Sequence, residues 1–181
     1  MKFVGAPFDV PLIRALARFA IFAFPAYALM AKLEPNSADR FAFKQNAKHG
    51  LFVGALVSLV WGFVHLNYDF DIPWTIHAWL NVILLSPIAE ELLFRRAIIE
   101  YMQTNTKIII AVFSSAILFA LFHIPWWVIS GEKTFREMGI LLAIMIVYGL
   151  VFGGLYIRTR SIWSSLIPHA VNNLISISMI R

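Results

Sequence analysis

The chain has 181 residues, 60% of them hydrophobic and only 14% charged, with a mean hydropathy of +0.77. A soluble domain carries about 25% charge, so this composition predicts an all-α polytopic membrane bundle of about six spans at ~20 residues each, in one domain over 1–181. The absence of cysteine excludes disulfides and thiolate catalysis, and the net charge of +5 is scattered through loops, which fits anionic lipid and topology signals rather than nucleic acid.

The first apolar run covers 11–31, where Arg14 and Arg18 leave only 19–31 free of charge. A basic start ahead of Ala26-Tyr27-Ala28 resembles a signal peptide, but Asp9 and Pro11 fit its n-region poorly, and an uncleaved first anchor is expected. The second run, 50–68, opens with a Gly50 to Gly54 pair that suits close helix packing within the chain, as do Gly149 and Gly153 in the fifth run, 138–157. The third run, 74–94, ends in Ser86-Pro87-Ile88-Ala89-Glu90-Glu91-Leu92-Leu93-Phe94-Arg95-Arg96. No helix breaker follows until Thr104-Asn105-Thr106, so this helix is predicted to continue past Arg95. The fourth and sixth runs cover 108–129 and 163–180. Trp126, Trp127 and Trp163 stand near segment ends as interfacial anchors, and Arg96 is expected to snorkel to the interface.

Ionisable groups at bilayer depth cost roughly 2.5–3.5 kcal/mol on insertion scales, and they mark pathways or reaction centres. Glu90 and Glu91 diverge by about 100° on a helix and so need different roles. Glu91 precedes Arg95 by four residues, the favourable order for an ion pair, which leaves Glu90 to face a cavity. Phe119 and His123 share a helix face, as do His169 and Asn173, with Asn172 a rival for the role of Asn173. Counted from one end of their helices, Glu90, His123 and His169 lie roughly 16, 22 and 10 Å deep, which permits a common site. His49, His65 and His77 flank segment ends and are read as structural.

A carboxylate, two imidazoles and an amide can activate water. Glu90 would be the general base, His123 would hold the water, and His169 with Asn173 would donate to a developing oxyanion. No serine stands in a Gly-x-Ser-x-Gly turn. Glu90, His123 and His169 could alternatively make a zinc site, although a His-Glu-x-x-His helix is absent; the expectation is no metal and no cofactor. A proton-coupled transporter is a further alternative, disfavoured because no inverted repeat is visible.

Glu90-Glu91-x-x-x-Arg95, Phe119-x-x-x-His123 and His169-x-x-x-Asn173, in that order, resemble the three motifs of the CAAX prenyl endopeptidase and bacteriocin-processing (Abi) family of glutamic intramembrane proteases. The resemblance covers 86–175. It implies that Glu90 is the catalytic base, His123 assists the water, His169 and Asn173 build the oxyanion site, and Glu91, Arg95 and Phe119 support them. It also implies a peptide or protein substrate near a membrane segment; non-catalytic immunity proteins of the same fold are the competing role. The chain is shorter than the eukaryotic prenyl-protein enzymes, which points to a multi-pass, bacterial-type member of the cell membrane. Loops 32–49, 95–107 and 158–162 carry nine Lys or Arg against six elsewhere, which places them in the cytoplasm and is expected to open the site toward that side.

Overall fold

The computed structural model describes residues 11–72, 75, 78–131 and 133–179. The expectations for residues 1–10, for His77 and for Arg181 fall outside these. The described chain is helical: α1 (Pro11–Leu33), α2 (Ala47–Val64), α3 (78–103), α4 (Ile108–Leu121), α5 (Ile124–Ser130), α6 (Phe135–Thr159) and α7 (Trp163–Ser178). The loop after α2 returns to the end of α7 through an isolated bridge between Phe70 and Met179.

Four stretches are long and apolar enough to cross a membrane: Ala15–Leu33, Ala47–Val64, Ile108–Ser130 and Phe135–Thr159. The bundle is therefore that of a membrane protein. The other two predicted spans are α3, interrupted by five charged residues, and α7, only 16 residues long. These two helices carry most of the polar site, and their neighbours shield them.

Small residues set the packing. The glycines at 50 and 54 lay α2 against the start of α7, where a Cβ at Gly54 would stand 2.7 Å from the Trp163 carbonyl oxygen. Gly149 lays α6 on α4, and a Cβ there would come 2.7 Å from Ala116 Cα. Both pairs thus bring helices of the same chain together, as expected. α1 lies over α3, and the core between them and α4 is built from Ala26, Met30, Leu92, Phe94, Ala97 and Phe119.

The sequence pattern misses one boundary and one break. α6 begins at Phe135, ahead of the charged pair Arg136-Glu137, because Thr134 forms a capping box: its hydroxyl accepts the Glu137 N–H at 3.3 Å and its own N–H donates to Glu137 Oε2 at 2.7 Å. The fourth predicted span breaks at Leu121, since Pro125 has no N–H for the Leu121 carbonyl and α5 starts afresh at Ile124.

α3 runs continuously from 78 to 103, past Arg95 as predicted, but it is not uniform. Wide, π-type turns over Ala78–Leu85 and Leu92–Ile99 flank the α-helical Ser86–Glu91. Such widened turns recur at functional sites.

Candidate active site

Prolines stand beside all three motifs, and at the first two they expose backbone or reset a helix. In the first, Pro87 offers no N–H to the carbonyls one turn earlier, and Asn173 Nδ2 of α7 donates to one of them, Val82 O, at 3.0 Å. In the second, the break ahead of Pro125 turns the His123 N–H to the Ala120 carbonyl at 3.1 Å. The Phe119 carbonyl is thereby released, and it takes the His123 ring nitrogen Nδ1 at 2.8 Å. A carbonyl can only accept, so Nδ1 carries the proton, and in the neutral form of the ring Nε2 keeps an acceptor lone pair. In the third, Pro168 immediately precedes His169 within α7.

A cavity of about 220 Å³ collects these groups. Its lining includes Glu90, Phe119, His123, His169, Asn172 and Asn173. At its base Glu90 is 5% exposed and His169 4%. Ser86 Oγ donates to Glu90 Oε1 at 2.7 Å, and Arg18 Nη2 from α1 reaches the same oxygen at 3.3 Å. His169 spans both glutamates, with Nδ1 at 2.8 Å from Glu91 Oε1 and Nε2 at 3.6 Å from Glu90 Oε2. Their side chains do diverge, but an imidazole from α7 lies between them and uses a different nitrogen toward each.

Glu91 and Arg95 have fully buried side chains, with Arg95 Nε 3.2 Å from Glu91 Oε2. Arg95 finds no hydrogen-bond acceptor among the described residues. Its guanidinium lies instead over two aromatic faces, 4.7 Å from the Phe119 centroid and 5.8 Å from that of Phe152. Desolvated cation–π contacts of this kind contribute about 2 kcal/mol. The same rings hold His169, stacked on Phe152 at 5.2 Å and edge-on to Phe119 at 5.8 Å. Phe119 also meets His123 at 5.0 Å, so one ring touches the buried cation and both imidazoles.

Four contributors were missed in the sequence. In the sequence Arg18 is a flanking charge of the first span, and Ser86 is one of several serines outside any Gly-x-Ser-x-Gly turn. Phe152 and Tyr148, both in the cavity wall, stand in an apolar run where nothing distinguishes them. Asn172 also lines the cavity; it makes no side-chain hydrogen bond among the described residues, whereas Asn173 is engaged with Val82.

Three further expectations change. Arg96 does not snorkel: it is 4% exposed and clasps the loop after α1, with Nε to Arg40 O at 2.6 Å and Nη2 to Glu34 Oε2 at 2.7 Å. Trp127 is buried near His123, at 5.8 Å between ring centroids, rather than interfacial. The cavity also points the other way from the expected opening. Its exposed rim includes Arg18 and Ile177, about 22 and 21 Å along their helices from Leu33 and Trp163, while the buried His169 is only about 9 Å from Trp163. The loops at 34–46 and 158–162 join at the opposite end, where Asn46 Nδ2 donates to Thr159 O at 3.0 Å.

Among the described residues no three His, Asp or Glu side chains form a metal-binding group. Residues 72–175 match the family described as Type II CAAX prenyl endopeptidase Rce1-like. That is more than half of the chain, and the chain belongs to this family of CAAX-type intramembrane proteases, which act on peptide or protein substrates in a membrane. No curated protein and no solved structure matches the chain.

Proposed function

We propose that this protein is a multi-pass glutamic endopeptidase of a bacterial cell membrane, cutting a peptide bond near a membrane-embedded or membrane-associated segment of its substrate. Water gives a proton to Glu90, and its oxygen bonds to the peptide carbonyl carbon. The carbonyl oxygen becomes an oxyanion facing His169 and the amides of Asn172 and Asn173. The C–N bond then breaks as the proton passes to the leaving nitrogen, giving a carboxylic acid and an amine without a covalent enzyme intermediate. His123, with its Nε2 lone pair, accepts a hydrogen bond from the second O–H of the water and orients it, and that hydrogen stays on the attacking oxygen.

The observation that carries this reading is the convergence of Glu90, His123, His169 and Asn173 on one small cavity, from α3, the turn between α4 and α5, and α7. Burial of Glu90 beside aromatic walls supplies the water-poor setting in which positioned charges act most strongly. A panel of quenched-fluorescent peptides, each joining a polar end to an apolar helix, tests it in proteoliposomes. Wild type is expected to cleave a subset and Glu90→Gln none, with unchanged unfolding temperature. Cleavage by purified Glu90→Gln would remove Glu90 from the mechanism, and a wild type that cleaves no peptide or membrane substrate favours the immunity role.

A further inference from the structure

Glu90 does not present two equivalent oxygens. Ser86 Oγ donates to Oε1 at 2.7 Å, and Arg18 Nη2 lies 3.3 Å from that same atom. Oε2 receives neither, and His169 Nε2 stands 3.6 Å from it, beyond a direct hydrogen bond. The two donors have different origins. Ser86 precedes Glu90 by one helical turn and shares its face, within the short α-helical stretch between the two widened turns. Arg18 comes from α1, outside the residues 72–175 that carry the family match.

We propose that Ser86 and Arg18 are positioning residues that clamp Oε1 and thereby make Oε2 the oxygen that takes the proton from water. A general base must aim a lone pair at the proton it removes, and a carboxylate free to turn about its last bond loses that aim. The clamp supplies two points of fixation on one side. The other oxygen accepts no hydrogen bond from a described residue and stands 3.6 Å from His169 Nε2, in the cavity that both residues line. Arg18 suits this task better than a structural one. Its side chain is 47% exposed and its contact with Glu90 is a single one, so α1 gains little stability from it.

The consequence for turnover rests on the protease reading, but the clamp itself can be measured without a substrate. A carboxylate bound on one oxygen shows a wider separation of its antisymmetric and symmetric infrared stretches than a symmetric one. Bands of Glu90 are obtained by subtracting the spectrum of Glu90→Gln from that of the purified protein in lipid. Ser86→Ala and Arg18→Gln are expected to narrow the separation, and Arg18→Lys to restore most of it. On a peptide cleaved by the wild type, the first two variants should lose roughly tenfold to a hundredfold in kcat with KM within about twofold, since small misplacements of a catalytic group cost that much. Arg18→Lys should recover most of the loss.

Unchanged band separation in both variants overturns the clamp. So does a rise in KM at constant kcat, which would make Arg18 a substrate contact, and so does a narrowed separation with normal turnover. Cleavage that persists in Glu90→Gln is a different failure, that of the proposed function, and leaves the infrared result to stand alone.

Discussion

Replacing Glu91 by Gln removes one charge and little else. The amide keeps the shape, and its carbonyl can still accept from His169 Nδ1, which now lies 2.8 Å from Glu91 Oε1. What is lost is the partner of Arg95, a guanidinium whose side chain is fully buried and which has no hydrogen-bond acceptor among the described residues. Removing one member of a buried pair costs about 3–5 kcal/mol, because the remaining charge stays desolvated. The rings of Phe119 and Phe152 hold the guanidinium in both proteins and cancel from the difference. For a chain of this size each kcal/mol moves the midpoint by about 2–4 °C, so Glu91→Gln should unfold roughly 6–20 °C below wild type in detergent. Glu91→Gln/Arg95→Met removes the stranded cation and should recover most of that loss. Both midpoints are read from the tryptophan fluorescence of purified protein. A single variant within 2 °C of wild type, or a double variant less stable than the single, would refute the reasoning about the buried pair.

Asn173→Ala should lower both stability, by about 1–3 kcal/mol, and turnover, since it strands the Val82 carbonyl; Asn172→Ala should lower turnover alone. Equal loss of stability in the two variants would show that neither amide is reserved for the cavity. Activity is expected to survive EDTA and phenanthroline; inhibition by phenanthroline that added zinc reverses would reassign Glu90, His123 and His169 as ligands. For topology, Arg95 and Arg96 are buried and Arg18 lines the cavity, so the loop charges stand at seven against five rather than nine against six. The loops at 34–46, 103–107 and 158–162 should still be cytoplasmic. Single cysteines at Asn36, Thr106 and Arg158, all exposed, should resist a membrane-impermeant thiol reagent in intact cells, and labelling of all three would invert the protein.

The membrane class, the helical bundle and the three polar motifs were legible in the sequence because each depends on local properties. Apolar run length decides whether a segment suits lipid, and the i,i+4 spacing of Glu91 with Arg95 and of His169 with Asn173 fixes which side chains share a helix face. Even the glycine pairs could be read, since a missing side chain permits close approach whatever the partner is. The identity of that partner could not be read. Arg18 shows why: on its own helix it is an ordinary cation near the start of a span, and only the laying of α1 over α3 brings it to Glu90, 72 residues away.

The same limit explains His169 and Arg96. His169 meets both glutamates because α7 inserts its ring between two side chains that diverge on α3, a relation between helices that no spacing within either one encodes. Arg96 is buried because the loop after α1 folds back and offers it the Arg40 carbonyl and the Glu34 carboxylate, where an isolated helix would have left it to seek water. Sequence alone determined the solvent of the protein and the chemistry available on each helix face, since those follow from side-chain type and helical period. Tertiary structure decided which faces meet, and with it which oxygen of Glu90 is held and which is free, because hydrogen bonds and buried charges are settled only by the partners that packing brings within reach.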